Sequence, residues 1–395
     1  MSSLEVVDVT STYLDHAATT SMYPEVFDAM RPWQETYFAN PSGSHRAARV
    51  ARQAVDEARE VVANALGVNA GDVVFTGGGT ESDNFAISGS VRSRGGIAVC
   101  SAVEHHAVLD PVLHHGGVTV AVTRDGQVDI DNLRHVLESV TASGEHIAVV
   151  SVMAVNNEVG SINDVAALAA VVREVAPEAW LHTDAVQAAC WVELSQIARH
   201  VDLLSLSAHK FGGPKGVGLM VVSNGATPEP LLLGGGQERG RRSGTIDVAG
   251  AVGAATALQK TTSERDQTSQ RVLALRNELL DALVHIEGVV ETVSREHTVP
   301  GIAHICLNDL ESEALLFMLD AADVYASAAS ACASGAMESS HVLSALGISD
   351  DLRRGALRLS LGHTTTSGDI DRAVTEITRN ISLLRERRAA RKQRV

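Results

Sequence analysis

Val201-Asp202-Leu203-Leu204-Ser205-Leu206-Ser207-Ala208-His209-Lys210 is an apolar run of strand length that ends on small and basic residues. A run of this kind fits a strand buried on both faces. Short apolar or β-branched runs precede it at Asp72–Phe75, Ile97–Ser101, Ile147–Met153 and Trp180–Thr183, and a helix-like stretch covers His45 to Leu66. The alternation predicts a mostly parallel sheet with helices on both faces. Ligands of such sheets gather at the C-terminal ends of the strands. That rule brings Thr76–Gly79, His105, Asn157, Asp184 and His209–Lys210 into one crevice.

Beyond Gly250 the rhythm changes. A long helical stretch from Val252 to Ile286 is followed by short strands near Gly288–Val293 and Ile302–Leu307, with helices near Glu311–Asp320 and Gly368–Arg385. This reads as a smaller α+β domain, with Gly234-Gly235-Gly236 and the residues after it as the junction. The 395 residues exceed the size at which one core stops growing. The fold class expected is α/β: a large domain over 21–255, and a small domain built from 1–20 and 256–395.

Composition narrows the function. A formal net charge of −16 argues against nonspecific binding to nucleic acid or anionic membranes, which needs a basic face. The basic run Arg385-Glu386-Arg387-Arg388 with Arg391, Lys392 and Arg394 suits the end of a solvated helix, and docking on an acidic partner is the alternative. The N-terminus has neither a basic nor an apolar leader region, and no apolar run reaches the roughly 18 residues of a membrane span. A cytoplasmic protein is expected. Cys100, Cys190, Cys306 and Cys332 include no C-x-x-C pair, so the thiols fit a reducing compartment and no metal site is expected.

Chemistry concentrates at the strand ends. Lys210 can form a Schiff base with an aldehyde. Asp184, at the end of the Trp180–Thr183 run, is a carboxylate that burial would oblige to find a cationic partner, although a strand-end Asp is as readily a helix cap. Thr76-Gly77-Gly78-Gly79-Thr80 puts glycines after a strand and a hydroxyl at a helix start, where N–H groups face an anion. A lone glycine cluster is more often a plain turn, but Ser207 and His209 add donors at another strand end. An amine, a carboxylate and phosphate donors together are what pyridoxal phosphate requires of a protein.

Other residues fit around that cofactor. His105 can stack on a flat ring and move protons, and adjacent histidines at 105–106 and 114–115 lack metal-ligand spacing. Gln187, on the same face as Asp184 if a helix follows, can reach the cofactor's 3′ oxygen. Arg358, inside the apolar alternation Leu357-Arg358-Leu359-Ser360-Leu361, suits bidentate capture of a carboxylate, or else simply faces outward. Asn40 can assist, though Asn40-Pro41 is foremost a turn signal. Cys332 sits among small residues, Ala328 to Ala336, that read as a loop (about 326–340) rather than core, an unusual place for a thiol. The other three cysteines read as core residues in or beside strands.

These motifs resemble a known family. Tyr13-Leu14-Asp15-His16-Ala17-Ala18-Thr19-Thr20, Thr80-Glu81-Ser82-Asp83-Asn84, Glu104-His105-His106-Ala107-Val108, Asn156-Asn157-Glu158-Val159-Gly160, His182-Thr183-Asp184-Ala185-Val186-Gln187, Ser207-Ala208-His209-Lys210, Gly234-Gly235-Gly236-Gln237-Glu238-Arg239, Arg242-Ser243-Gly244-Thr245 and Ser330-Ala331-Cys332 are similar to those of cysteine desulfurases, the iron–sulfur-assembly branch of the fold-type I pyridoxal-phosphate enzymes. The resemblance runs nearly end to end. It implies Lys210 as Schiff-base lysine, Asp184 as partner of the pyridine nitrogen and His105 stacked on the ring. Gly79, Thr80, Ser207 and His209 would hold the phosphate, and Asn157 and Gln187 would touch the 3′ oxygen and substrate. Thr245 would reach the phosphate of the opposite subunit in a homodimer. Arg358 with Asn40 would take the carboxylate of L-cysteine.

Cys332 would accept the substrate's sulfur as a persulfide and deliver it to acceptors such as an iron–sulfur scaffold or a tRNA-thiolation protein. The loop departs from the family's Ser-Gly-Ser-Ala-Cys in having Ala329 for the glycine, which stiffens it, and Gly335-Ala336-Met337-Glu338-Ser339 replaces the commoner ending. A selenocysteine lyase on the same fold and a noncatalytic pyridoxal-phosphate-binding module are the rival readings. An activated thiol beside Lys210, Asp184 and His105 is superfluous in the latter.

Overall fold

The computed structural model describes residues 11–328 and 340–392. The chain forms two compact units: Thr19–Asn156 with Ile162–Asp266, and Met1–Ala18 with Asn157–Ser161 and Gln267–Val395. The division falls inside one continuous helix, Val248–Val284, so the triple glycine at 234–236 lies within the larger unit and is not the junction.

The larger unit is built on seven strands: β1 (Val73–Thr76), β2 (Ile97–Ser101), β3 (Val118–Val120), β4 (Ile147–Ser151), β5 (Trp180–Asp184), β6 (Leu203–Ser207) and β7 (Gly218–Val222). Their order is β1-β7-β6-β5-β4-β2-β3. The five from β6 to β3 run parallel, and β7 is antiparallel to both its neighbours. β1, β4, β6 and β7 are buried along their whole length, which is why β1, β4 and β6 read as largely apolar runs. The expected mostly parallel sheet is present. β3 and β7 had no clear signal: one is three residues long, and the other follows a Gly-Pro-Lys-Gly turn.

Helix Gly79–Arg94 packs against β4 and β6. Its residues from Phe85 to Ser90 are all buried, so it lacks the polar stripe of a surface helix. The smaller unit holds the antiparallel sheet of β8 (Val289–Glu291), β9 (Ile302–Leu307) and β10 (Ala356–Ser360), ordered β10-β9-β8. Helices Ser312–Asp320 and Ser367–Lys392 pack against each other in the same unit. Thr12–Tyr13 pairs parallel with Val324–Tyr325, and Asp15 bridges to Ser360. Among the described residues no helix is long and apolar enough to cross a membrane.

Candidate active site

β5 and β6 are adjacent and parallel, with Asp184 in register with Ser205. The strand ends therefore set Asp184 beside the single 3₁₀ turn Ala208–Lys210 that follows Ser207. Lys210 is half-buried, and its carbonyl accepts the Cys190 thiol at 3.4 Å. The helix expected after Asp184 does not form. Residues 186–191 are turns, and Asp184 Oδ1 accepts the Val186 N–H at 2.9 Å, so the carboxylate does cap its own turn. Gln187 consequently lies on a turn, half-buried. Cys190 lies there too and is only partly buried, unlike Cys100 and Cys306, which are core residues as expected.

Asp184 is 5 % exposed. Burial pushes its carboxyl above the usual carboxylate range, while the nearby His105 and Lys210 pull it back. A buried carboxylate with one backbone donor leaves room for a cationic N–H. A protonated pyridine nitrogen supplies one, so the donor set fits pyridoxal phosphate.

The phosphate side is equally explicit. Gly78, at φ 152°, precedes helix Gly79–Arg94. A Cβ on Gly79 would lie 3.0 Å from Val186 Cγ2 and 3.4 Å from Ser207 Cβ, so the glycine turn presses against the ends of both β5 and β6. Thr80 is exposed at the helix start and Ser207 is buried. His209 Nδ1 lies 3.1 Å from Thr19 Oγ1. Burial, then Lys210 and Lys215, lower its pKa to about 4, which makes it a neutral hydrogen-bonding group near pH 7. His105 is exposed and caps helix His106–His114, its Nδ1 accepting the Ala107 N–H at 3.1 Å. Thr245 is exposed on the loop that follows Arg242. Asn40, also exposed, uses its side-chain oxygen to accept the Ser42 N–H at 2.9 Å, the turn role that Asn-Pro signals.

Three residues behind Asp184 escaped the sequence reading. His182, two positions earlier on β5, lies 2.8 Å from Ser151 Oγ, 3.0 Å from Ser205 Oγ and 3.6 Å from Asp83 Oδ1. Burial lowers its pKa to about 3. Asp83 is raised well above its ordinary value by burial and by Asp184. Glu104 is pushed up to about 8 by burial, although its Oε1 accepts Ser101 Oγ–H and Met153 N–H, each at 2.7 Å. Their signal was polarity inside apolar elements, next to residues already singled out.

In the smaller unit Arg358 is 5 % exposed on β10, opposite His304. It does not face outward. Its Nη2 donates to Asp15 Oδ1 at 2.7 Å and its Nη1 to the Asn157 carbonyl at 2.9 Å. The Arg358 N–H donates to Ser327 O at 2.7 Å, and Ser340 Oγ donates to Glu158 Oε2 at 2.6 Å. Cys332 lies outside the described residues.

A mostly parallel sheet with an amine and a buried carboxylate at neighbouring strand ends fits the aminotransferase-type class of pyridoxal-phosphate enzymes. The chain belongs to the aminotransferase class-V family, whose model matches residues 12–373, and its cofactor is pyridoxal phosphate. It is 41% identical over 392 residues to an IscS-like cysteine desulfurase of Mycobacterium tuberculosis, covering 96% of this chain and 98% of the relative. A solved NifS-like protein superimposes with a TM-score of 0.87 at 31% identity, covering 94% of this chain and 100% of that one. A structure described as SspA in complex with cysteine matches with a TM-score of 0.75 at 27% identity, over 90% of this chain and 100% of that one.

Proposed function

We propose that the protein is a cysteine desulfurase, converting L-cysteine to L-alanine and passing the sulfur through a Cys332 persulfide to acceptors for iron–sulfur assembly or tRNA thiolation. The observation that carries the reading is the placement of Asp184 and Lys210 at the ends of the neighbouring parallel strands β5 and β6, in a chain whose full-length relatives are named cysteine desulfurases.

When bound, the cofactor takes up an amine through its aldehyde and draws electrons from the substrate's Cα. Asp184 holds the proton on the ring nitrogen, and His105 covers the ring. Gly79, Thr80, Ser207 and His209 hold the phosphate, and Gln187 and Asn157 orient the 3′ oxygen and substrate. Arg358, with Asn40, takes the substrate carboxylate. Lys210 carries the Cα proton. The Cys332 thiolate then attacks the substrate sulfur: the new S–S bond forms, the Cβ–S bond breaks, and its electron pair is protonated at Cβ to give the methyl of alanine.

A homodimer sharing Thr245 follows from the resemblance, and the exposed Leu232 and Leu233 just before that loop, 42% and 81% accessible, support it. The thiols Cys100 and Cys306, buried, and Cys190, partly buried, fit a cytoplasmic setting. Cys332→Ala tests the reading: we expect the cofactor's absorbance band to stay while sulfide release from L-cysteine disappears. Undiminished turnover would show that another group accepts the sulfur.

A further inference from the structure

Two carboxylate–guanidinium pairs fasten the loop that leads to Thr245, both within the larger unit. Glu238 and Arg59 are buried and joined bidentately, at 2.8 Å on each side. Glu238 Oε2 also accepts the Phe75 N–H at 3.3 Å, and Arg59 Nη1 donates to the Val73 carbonyl at 2.6 Å. This pair stitches the loop to β1, an edge of the sheet. In the second pair Arg242 Nε and Nη2 donate to the two oxygens of Glu81 at 2.9 and 3.3 Å. Glu81 Oε2 in turn accepts the Gly77 N–H at 2.8 Å. One carboxylate thus grips both the glycine turn and the loop.

The loop's backbone shows how tightly it is determined. Glu238 and Arg239 stand at φ 49° and 58°, a left-handed conformation that side-chain-bearing residues keep only where their surroundings over-determine it. Gln237 Oε1 closes the far side by accepting the Gly244 N–H at 2.9 Å. Gly77 is equally constrained, since a Cβ there would sit 2.6 Å from Glu81 Oε2 and 3.8 Å from Arg242 Nη2. Beyond Arg242 and Ser243 the loop continues as the exposed Gly244 and Thr245.

We propose that Glu81 and Arg242 are positioning residues that couple the hold of the Gly77–Thr80 turn on the cofactor phosphate to the docking of the Thr245 loop on a second copy of the chain. The inference rests on the homodimer reading of Thr245. A phosphate that orders the turn fixes Glu81, and Glu81 fixes Arg242 three residues before Thr245. Docking then has less ordering left to do. Linkage makes the effect reciprocal: a docked partner tightens the turn around the phosphate.

Sedimentation over a dilution series, with and without saturating pyridoxal phosphate, tests this without recourse to turnover. The parent should dimerise at least about 5-fold more tightly with the cofactor than without. In Arg242→Gln and in Glu81→Gln that ratio should fall toward one, and the double variant should lower it no further. Arg242→Lys should restore part of it. Both side chains are about a quarter exposed, 24% and 22%, and Glu81→Gln, nearly isosteric, serves if Arg242→Gln does not fold. A merely structural pair would weaken both forms alike and leave the ratio at the parent's value, which would overturn the coupling and leave the dimer standing. A parent ratio of one would also overturn it. A parent that sediments as a monomer with the cofactor would overturn the homodimer reading and this inference with it.

Discussion

Arg358 Nη2 lies 2.7 Å from Asp15 Oδ1, joining residues 343 positions apart in the chain. The guanidinium proposed to receive the substrate carboxylate therefore already has a carboxylate partner. Its side chain is 6% exposed against 24% for Asp15. Asp15→Asn should leave the buried charge with the Asn157 carbonyl and no counterion, lowering stability by about 1–3 kcal/mol, below the full buried-pair figure because Asp15 is partly solvated. Urea unfolding measures this, and an unchanged midpoint would mean that the carbonyl alone suffices.

Lys210 stands at the exit of a fully buried strand, where a neighbouring carboxylate and a glycine turn converge. Lys210→Ala should abolish the absorbance band of the lysine-linked cofactor and slow alanine formation by about 10²–10⁴-fold, the range for losing a positioned acid–base group. A band that persists unaltered in the variant would place the covalent link elsewhere.

Asp184 is held above its ordinary pKa by burial, with His105 and Lys210 opposing. A cationic ring nitrogen would restore its charge. Asp184→Asn, which removes the charge and keeps the shape, should cut turnover by about 10²–10³-fold, comparable to losing a preorganised electrostatic contact. Asp184→Glu should recover part of it. Steady-state alanine formation compares the three, and equal rates would dissociate Asp184 from the ring nitrogen.

Glu104 has its pKa pushed from 4.5 up to about 8 by burial. Between those values the folded chain holds a proton that the unfolded chain has released, so stability present below pH 4.5 is lost as pH rises toward 8. Glu104→Gln imitates the protonated form and removes this slope, leaving the apoprotein more stable than the parent at pH 8 by an amount on the order of a few kcal/mol. Chemical denaturation at pH 5 and pH 8 measures it. Parallel pH profiles for parent and variant would refute it.

Local pattern made much of the fold legible. Ile97–Ser101 and Ile302–Leu307 read from the chain with the bounds the structure gives them, because a mostly apolar run of strand length is its own signal of burial. The strand-end placement of Asp184 and Lys210 was legible for the same reason. The turn after Asp184 was not, since it depends on whether the carboxylate takes the Val186 N–H at 2.9 Å, a bond that composition does not report. His182, Asp83 and Glu104 looked like ordinary polar residues until packing removed them from water.

The sequence by itself determined the alternation of elements, the strand-end amine and carboxylate, and the membership of a pyridoxal-phosphate family. Tertiary structure alone decided which charges meet. Arg358 with Asp15, Arg59 with Glu238 across 179 positions and Arg242 with Glu81 across 161 are pairings that no period of two or 3.6 residues encodes. Such pairs form only when sheet order and burial bring distant segments together and remove the water that would otherwise screen them.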